Sequence, residues 1–155
     1  MFKMPYIIRP ATETDQQIIR KLVRQARLNP LGLDYRRFVV ATDHDRIVGA
    51  GQIKSHRDKS RELASLVVLD QYQNQGIGGA IVDDLISYET GSLYLFCLDE
   101  LAGYYERFGF SIATRKVIPP RMKRLLVLTT VFGKLASILE RRTVKIIAMK
   151  RPFPE

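Results

Sequence analysis

Gln73-Asn74-Gln75-Gly76-Ile77-Gly78-Gly79 stands between the apolar run 66–69 and a stretch with helical periodicity, 80–88. A glycine-rich turn from a strand into a helix lets several backbone N–H groups face one point, with the positive end of the helix dipole behind them. Such a turn binds phosphate. The same residues also suit a tight turn whose glycines only supply positive φ angles, so spacing has to separate the two. No Lys-Ser or Lys-Thr pair follows the last glycine, which removes the P-loop, and the run is not Gly-x-Gly-x-x-Gly, which removes the dinucleotide pattern. It fits Gln/Arg-x-x-Gly-x-Gly/Ala, with Gln73, Gly76 and Gly78 in the fixed places.

Outward from that turn, the chain reads as a mixed α/β sheet of about seven strands. Strands are expected over 6–9, 38–41, 47–53, a segment ending near 69, 93–98, 111–117 and 144–149. Asp43-His44-Asp45-Arg46 is a polar hairpin turn, and 55–61 is a charged loop. Thr12 with Asp15 marks a helix start; Ile18, Ile19, Leu22, Val23 and Ala26 recur at helical spacing until Asn29-Pro30 stops them. A second helix follows the glycines and a short one covers 101–108. No repeat or linker divides the chain, so residues 1–155 are expected to form one domain with a full core.

Composition narrows the class further. At 46% hydrophobic residues and with one cysteine, Cys97, nothing calls for disulfides; Cys97 lies in an apolar run and reads as a buried structural thiol. No cleavable signal is apparent, and no uninterrupted apolar run reaches the roughly 18 residues of a membrane span, so a soluble cytoplasmic protein is expected. The net charge of +9 is concentrated: from Arg115 to Arg151, 11 Lys or Arg stand against one acid, Glu140. That region includes an apolar helical stripe, Leu125, Leu128, Phe132, Leu135 and Leu139, widened by Met122, Leu126 and Val131. Core packing is one use of it. A homodimer interface, a substrate-site wall, an anionic membrane surface or a nucleic acid are the others.

Two more segments join the glycine run in a common pattern. Ala102-Gly103-Tyr104-Tyr105-Glu106-Arg107-Phe108-Gly109-Phe110 contains Tyr-Glu-x-x-Gly-Phe, and Ile8-Arg9-Pro10-Ala11-Thr12-Glu13, with Asp15, opens the chain. Over residues 6–115 these resemble the GCN5-related N-acetyltransferase (GNAT) family: its first strand and helix, its acetyl-CoA pyrophosphate loop, and the tyrosine helix that turns through Gly-Phe into the sixth strand. The resemblance implies a mostly antiparallel sheet splayed at the cofactor site and flanked by helices. It also implies acetyl-CoA as cosubstrate, with no metal, and direct transfer to an amine without an acyl-enzyme.

Residue by residue, the resemblance assigns acetyl-CoA binding to Leu66, Val67, Val68, Gln73, Asn74, Gln75, Gly76, Ile77, Gly78, Gly79 and Tyr105. Tyr105 would place its hydroxyl beside the thioester sulfur and protonate the departing thiolate. Tyr104, Phe108 and Phe110 read as core. Glu62 occupies the place of a glutamate that receives the amine proton, often through water; the alternative is a solvated carboxylate beside Lys59 and Arg61. Asp99 and Glu100 stand where the family often has an asparagine that contacts the CoA arm. His44 in the hairpin and His56 in the charged loop read as solvent-facing, and metal-ligand spacing is absent. The expected activity is acetyl transfer to a primary amine of a small molecule or protein. Two other classes fit parts of the chain: a non-catalytic acyl-CoA-binding module, and a nucleic-acid- or ribosome-associated protein that binds through its basic C-terminal quarter.

Overall fold

The computed structural model describes residues 6–140 and 144–153, with the backbone alone for 130 and 132–140. The strands are β1 (Ile7–Pro10), β2 (Phe38–Asp43), β3 (Arg46–Ser55), β4 (Arg61–Val68), β5 (Leu93–Leu98), β6 (Ser111–Ile112) and β7 (Ile146–Arg151). The helices are α1 (Gln16–Gln25), α2 (Ile77–Ser87), α3 (Ala102–Glu106) and α4 (Pro120–Glu140). Seven strands hydrogen-bond in the order β1-β2-β3-β4-β5-β7-β6. The β1–β2, β2–β3, β5–β7 and β6–β7 ladders are antiparallel, and β4–β5 is parallel. This is the mixed sheet that the sequence suggests. Contacts divide the chain into two compact units: residues up to Lys54 with Leu63–Glu89, and Ser55–Glu62 with the residues from Thr90 onward.

In the first unit, Asp15 sets the entry to α1. Its carboxylate accepts from the Thr12 backbone N–H at 2.8 Å and from Arg9 Nη1 at 2.7 Å, and satisfies a donor that a helix start leaves unpaired. Arg9 holds this carboxylate below the ordinary range. The helix then buries Ile19, Leu22 and Val23 against Phe38, Val40, Ile47 and Ala50. Ile18, expected on the same face, is 45% exposed, because it falls one position off the stripe that Ile19, Leu22 and Val23 define. The helix also ends at Gln25, before the Asn29-Pro30 stop, where Arg27 takes a left-handed φ of 56°. On the other face of β3, Gly49 and Gly51 receive α2: a Cβ at Gly51 would lie 2.9 Å from Ile81 Cγ2. Missing side chains there let the helix approach the sheet and so fix where its N-terminus lies.

In the second unit, β5 occupies the expected apolar run and pairs with β7 from Leu93↔Arg151 to Leu98↔Ile146. The strand expected over 111–117 shrinks to Ser111–Ile112, because the chain then leaves the ladder for a turn closed by Val117 N–H to the Thr114 carbonyl. Helix α4 occupies the segment read as helical, and its covered face differs from the expected stripe. Met122 is fully buried, and Leu125 and Leu126 pack with it against Tyr94, Ile118 and Ala148, whereas Leu128 is 54% exposed. The side chains of Phe132, Lys134, Leu135 and Leu139, and all of Arg141 and Arg142, lie outside the described residues. Among the described residues no helix is long and apolar enough to cross a membrane.

Candidate active site

Helix α2 begins at Ile77, inside the glycine run rather than after it, so Gly78 and Gly79 belong to its first turn. Ahead of it the chain takes two left-handed residues, Asn74 at φ 60° and Gly76 at φ 82°. Asparagine tolerates that region and glycine occupies it without cost, which explains this choice of residues. Asp70–Tyr72 form a single 3-10 turn, braced by Tyr72 Oη donating to Asp43 Oδ2 at 2.8 Å. Gln73 Nε2 donates to the Val68 carbonyl at 3.0 Å, and Gln75 Nε2 to the Gln71 carbonyl at 3.2 Å. These two side chains are engaged within the turn; what they offer a ligand is backbone. From Asn74 to Gly79 no backbone N–H has a hydrogen-bond partner among the described residues. A run of free donors at a helix N-terminus is an anion cradle. A Cβ on Gly76 would meet only Tyr6 Oη, at 3.9 Å, so the cradle is open at that point.

Leu66, Val67, Val68 and Gln73 line one groove of about 620 Å³, with Leu22, Ala26 and Leu28 opposite. The structure therefore brings the expected strand residues and the start of the loop to one surface. Just before them Ser65 sits at φ 57°, a left-handed residue inside a strand that re-aims the backbone. Its hydroxyl accepts from the fully buried Gln52 at 2.9 Å, whose Oε1 has no partner among the described residues. Neither Ser65 nor Gln52 stands out in the sequence, since the strain and the buried amide are tertiary features.

The second unit holds Tyr105, Glu62 and Cys97. Tyr105 is buried, its ring edge-on to Tyr104 at 5.0 Å and to Phe110 at 6.1 Å. Burial pushes its phenol well above the ordinary value, with smaller contributions from Cys97 and Tyr104. Its hydroxyl makes no hydrogen bond to the described residues. A protonated phenol with a free donor can give a hydrogen bond or a proton to a developing anion. Cys97 is buried, donates to Met149 Sδ at 3.8 Å, and is pushed up to about 11 by burial and then by Asp99. It is an inert thiol at neutral pH. Asp99 and Glu100 lie exposed in a short turn, with the Asp99 N–H bonded to the Lys145 carbonyl.

Glu62 stands in register with Tyr94 at the start of β4 and is buried, not solvated. Its Oε2 lies 2.7 Å from His56 Nε2, and the two side chains are 11% and 12% exposed. The solvent-facing reading of His56 is therefore corrected. The turn is held by His56 N–H to the Ser60 carbonyl and by Asp58, whose carboxylate accepts from Ser60 and from the Arg121 backbone N–H, and this folds the imidazole back onto the strand. His44 is exposed as expected.

A family model described as an acetyltransferase (GNAT) domain matches residues 34–112. Against an uncharacterized N-acetyltransferase of Chlorobaculum tepidum the chain is 29% identical over 91 residues, 57% of this chain and 59% of that protein, so it spans under two thirds of that relative. A Mycobacterium tuberculosis protein solved in complex with CoA matches with a TM-score of 0.71 at 19% identity, over 96% of this chain and 99% of that one. N-acetylglutamate synthase from Neisseria gonorrhoeae, complexed with coenzyme A and N-acetyl-glutamate, gives 0.70 at 15% identity, over 99% of this chain and 36% of that one. The ribosomal-protein-S18-alanine N-acetyltransferase from Escherichia coli gives 0.62 at 18% identity, over 97% and 95%. At such identities these structures share the fold. With more than half of its residues matched by the family model, the chain belongs to the GNAT acetyltransferase family.

Proposed function

We propose that this chain transfers the acetyl group of acetyl-CoA directly to a primary amine, of a small molecule or of a protein. The observation that carries the reading is the run of unpartnered backbone N–H groups from Asn74 to Gly79 at the start of α2. A pyrophosphate is the anion such a run fits: two adjacent phosphates need several convergent donors and little side-chain bulk. The groove along Leu66, Val67 and Val68 leads into that loop and suits an extended, partly apolar arm. Residues 1–155 act as one acetyltransferase domain in this reading.

Tyr105 serves as the proton donor to the departing thiolate. Because burial holds its phenol high, it keeps its proton throughout the neutral range, and as a weak acid it acts mainly by hydrogen-bonding the sulfur as charge grows there. Glu62 provides for removal of the proton that the acceptor amine must lose before its lone pair can attack, directly or through an intervening group. The buried carboxylate at the start of β4 supports that role better than a solvated one would.

Release of free CoA thiol from acetyl-CoA, followed across a panel of amino acids, peptide N-termini and small amines, tests the proposal. At least one amine should raise release clearly above the amine-free rate. Tight acetyl-CoA binding with no amine turned over would instead mark a binding module, and no acetyl-CoA binding would overturn the loop assignment.

A further inference from the structure

We infer that His56 and Glu62 act as one proton acceptor, in which His56 takes the amine proton at Nδ1 while Glu62 fixes the tautomer and balances the imidazolium charge. This rests on the acetyl-transfer reading above and says which atom performs its deprotonation step.

The geometry carries the inference. Nε2 and Glu62 Oε2 are 2.7 Å apart, and an ionised carboxylate can only accept, so the hydrogen sits on Nε2. The neutral imidazole then has its lone pair on Nδ1. That atom makes no hydrogen bond to the described residues, which leaves its lone pair without a partner among them. A carboxylate alone is a weak base for an ammonium, whereas an imidazole backed by a carboxylate takes protons near neutral pH.

The surroundings hold this pair in place. From β4 comes Glu62 itself, with Tyr94 of β5 opposite it in the ladder. From the turn comes Asp58, kept below the ordinary carboxylate range first by the Ser60 hydroxyl. From α4 comes the Arg121 N–H, which anchors Asp58 at 3.2 Å. The strand start and the turn fix both partners before any acceptor arrives, which is how a base is made ready rather than recruited.

The step balances as follows. The acceptor enters as an ammonium and gives one proton to Nδ1, leaving a neutral amine. Its lone pair attacks the thioester carbonyl carbon; the C–N bond forms, the C–S bond breaks, and the bonding pair passes to sulfur. Sulfur takes the Tyr105 proton, the second proton leaving nitrogen restores Tyr105, and the imidazolium releases its proton to water.

Two measurements test it. First, nitrogen NMR of the labelled wild-type protein should show neutral His56 with Nε2 protonated and Nδ1 bare, and Glu62→Gln should remove that preference. A protonated Nδ1 in the wild type overturns the inference, whatever the activity. Second, for an amine that the wild type acetylates, His56→Gln should lower kcat/KM by roughly a hundredfold near pH 7, with the deficit shrinking as pH approaches the amine's own pKa. The double variant with Glu62→Gln should be about as impaired as the worse single one, because the two groups act as a unit. A wild-type pH profile in His56→Gln, or losses that multiply in the double variant, would sink the dyad while leaving acetyl transfer intact. A wild type that turns over no amine would sink the acetyl-transfer reading itself. Should His56→Gln fail to fold, the wild-type tautomer decides alone.

Discussion

The glycine turn after β4 and the charged turn before it are both short loops, but they work through different parts of the chain. In the glycine turn the side chains of Gln73 and Gln75 bond back onto the loop, and the free groups are the backbone donors of Asn74 to Gly79. In the charged turn the backbone is bonded internally, His56 N–H to the Ser60 carbonyl, and the free group is Nδ1 of an imidazole whose Nε2 is paired to Glu62. The first loop needs particular φ angles. The second needs a particular neighbour.

The largest effect expected from this contrast is at Gly76. A valine there has room, since the nearest atom to its Cβ would be 3.9 Å away, yet φ 82° is closed to a β-branched residue. Gly76→Val should therefore weaken acetyl-CoA binding more than a hundredfold by calorimetry, by re-aiming the donors, while Gly76→Asn, which tolerates the left-handed region, should lose far less. Equal losses in both variants would show that side-chain bulk matters and not the backbone, and would erase the distinction between the loops.

That distinction also explains what the sequence could and could not tell. A backbone-built site leaves its trace in local residue types, so Gln73, Gly76 and Gly78 were readable by spacing. The same holds for the capping pair Thr12 and Asp15, and for β5, whose apolar run matches Leu93–Leu98. A pair built from side chains leaves no such trace. His56 looked like one more polar residue in a charged loop; its burial depends on Glu62, six residues away, and on a turn anchored by Arg121 on a distant helix. Ser65 and Gln52 were invisible for the same reason, and the strand expected over 111–117 was cut to Ser111–Ile112 by a turn that its alternation does not reveal.

Tyr105 combines the two kinds of site, being readable from its motif but tuned by burial. Tyr105→Phe should lower kcat by roughly ten- to a hundredfold, below the upper end for a general acid because the raised phenol is a poor proton source, with acetyl-CoA affinity nearly unchanged. Since its pKa is raised, activity should show no alkaline loss from Tyr105 across the neutral range. An unchanged kcat in this variant would return Tyr105 to a packing role.

A smaller effect is expected where local sequence alone decides. Arg9 lowers the Asp15 pKa in the fold, so the ionised carboxylate favours folding at neutral pH, and this contribution disappears as pH falls below the unfolded value of about 3.9 and through the folded one. Asp15→Asn should cost about 1 kcal/mol near pH 7, with the gap in Tm closing on acidification. A gap that persists at acid pH would mean that shape, not charge, sets the helix entry.

The smallest effect is predicted at Leu128, and it tests how far a readable pattern can mislead. Leu128 belongs to the same apolar stripe as Leu125, but Leu125 packs beside the fully buried Met122 while Leu128 is 54% exposed. A carboxylate at an exposed position loses little hydration, so Leu128→Asp should change stability by no more than about 0.5 kcal/mol and leave the solution mass unchanged. Met122→Asp, which buries an unpaired charge against Tyr94 and Ile118, should unfold the protein. If Leu128→Asp also unfolds it, the exposed face belongs to the core after all. If instead it stays folded and changes only the solution mass or a salt-sensitive binding to RNA or anionic vesicles, the stripe is a contact surface, and Leu128, like His56, draws its meaning from a neighbour that the local sequence does not name.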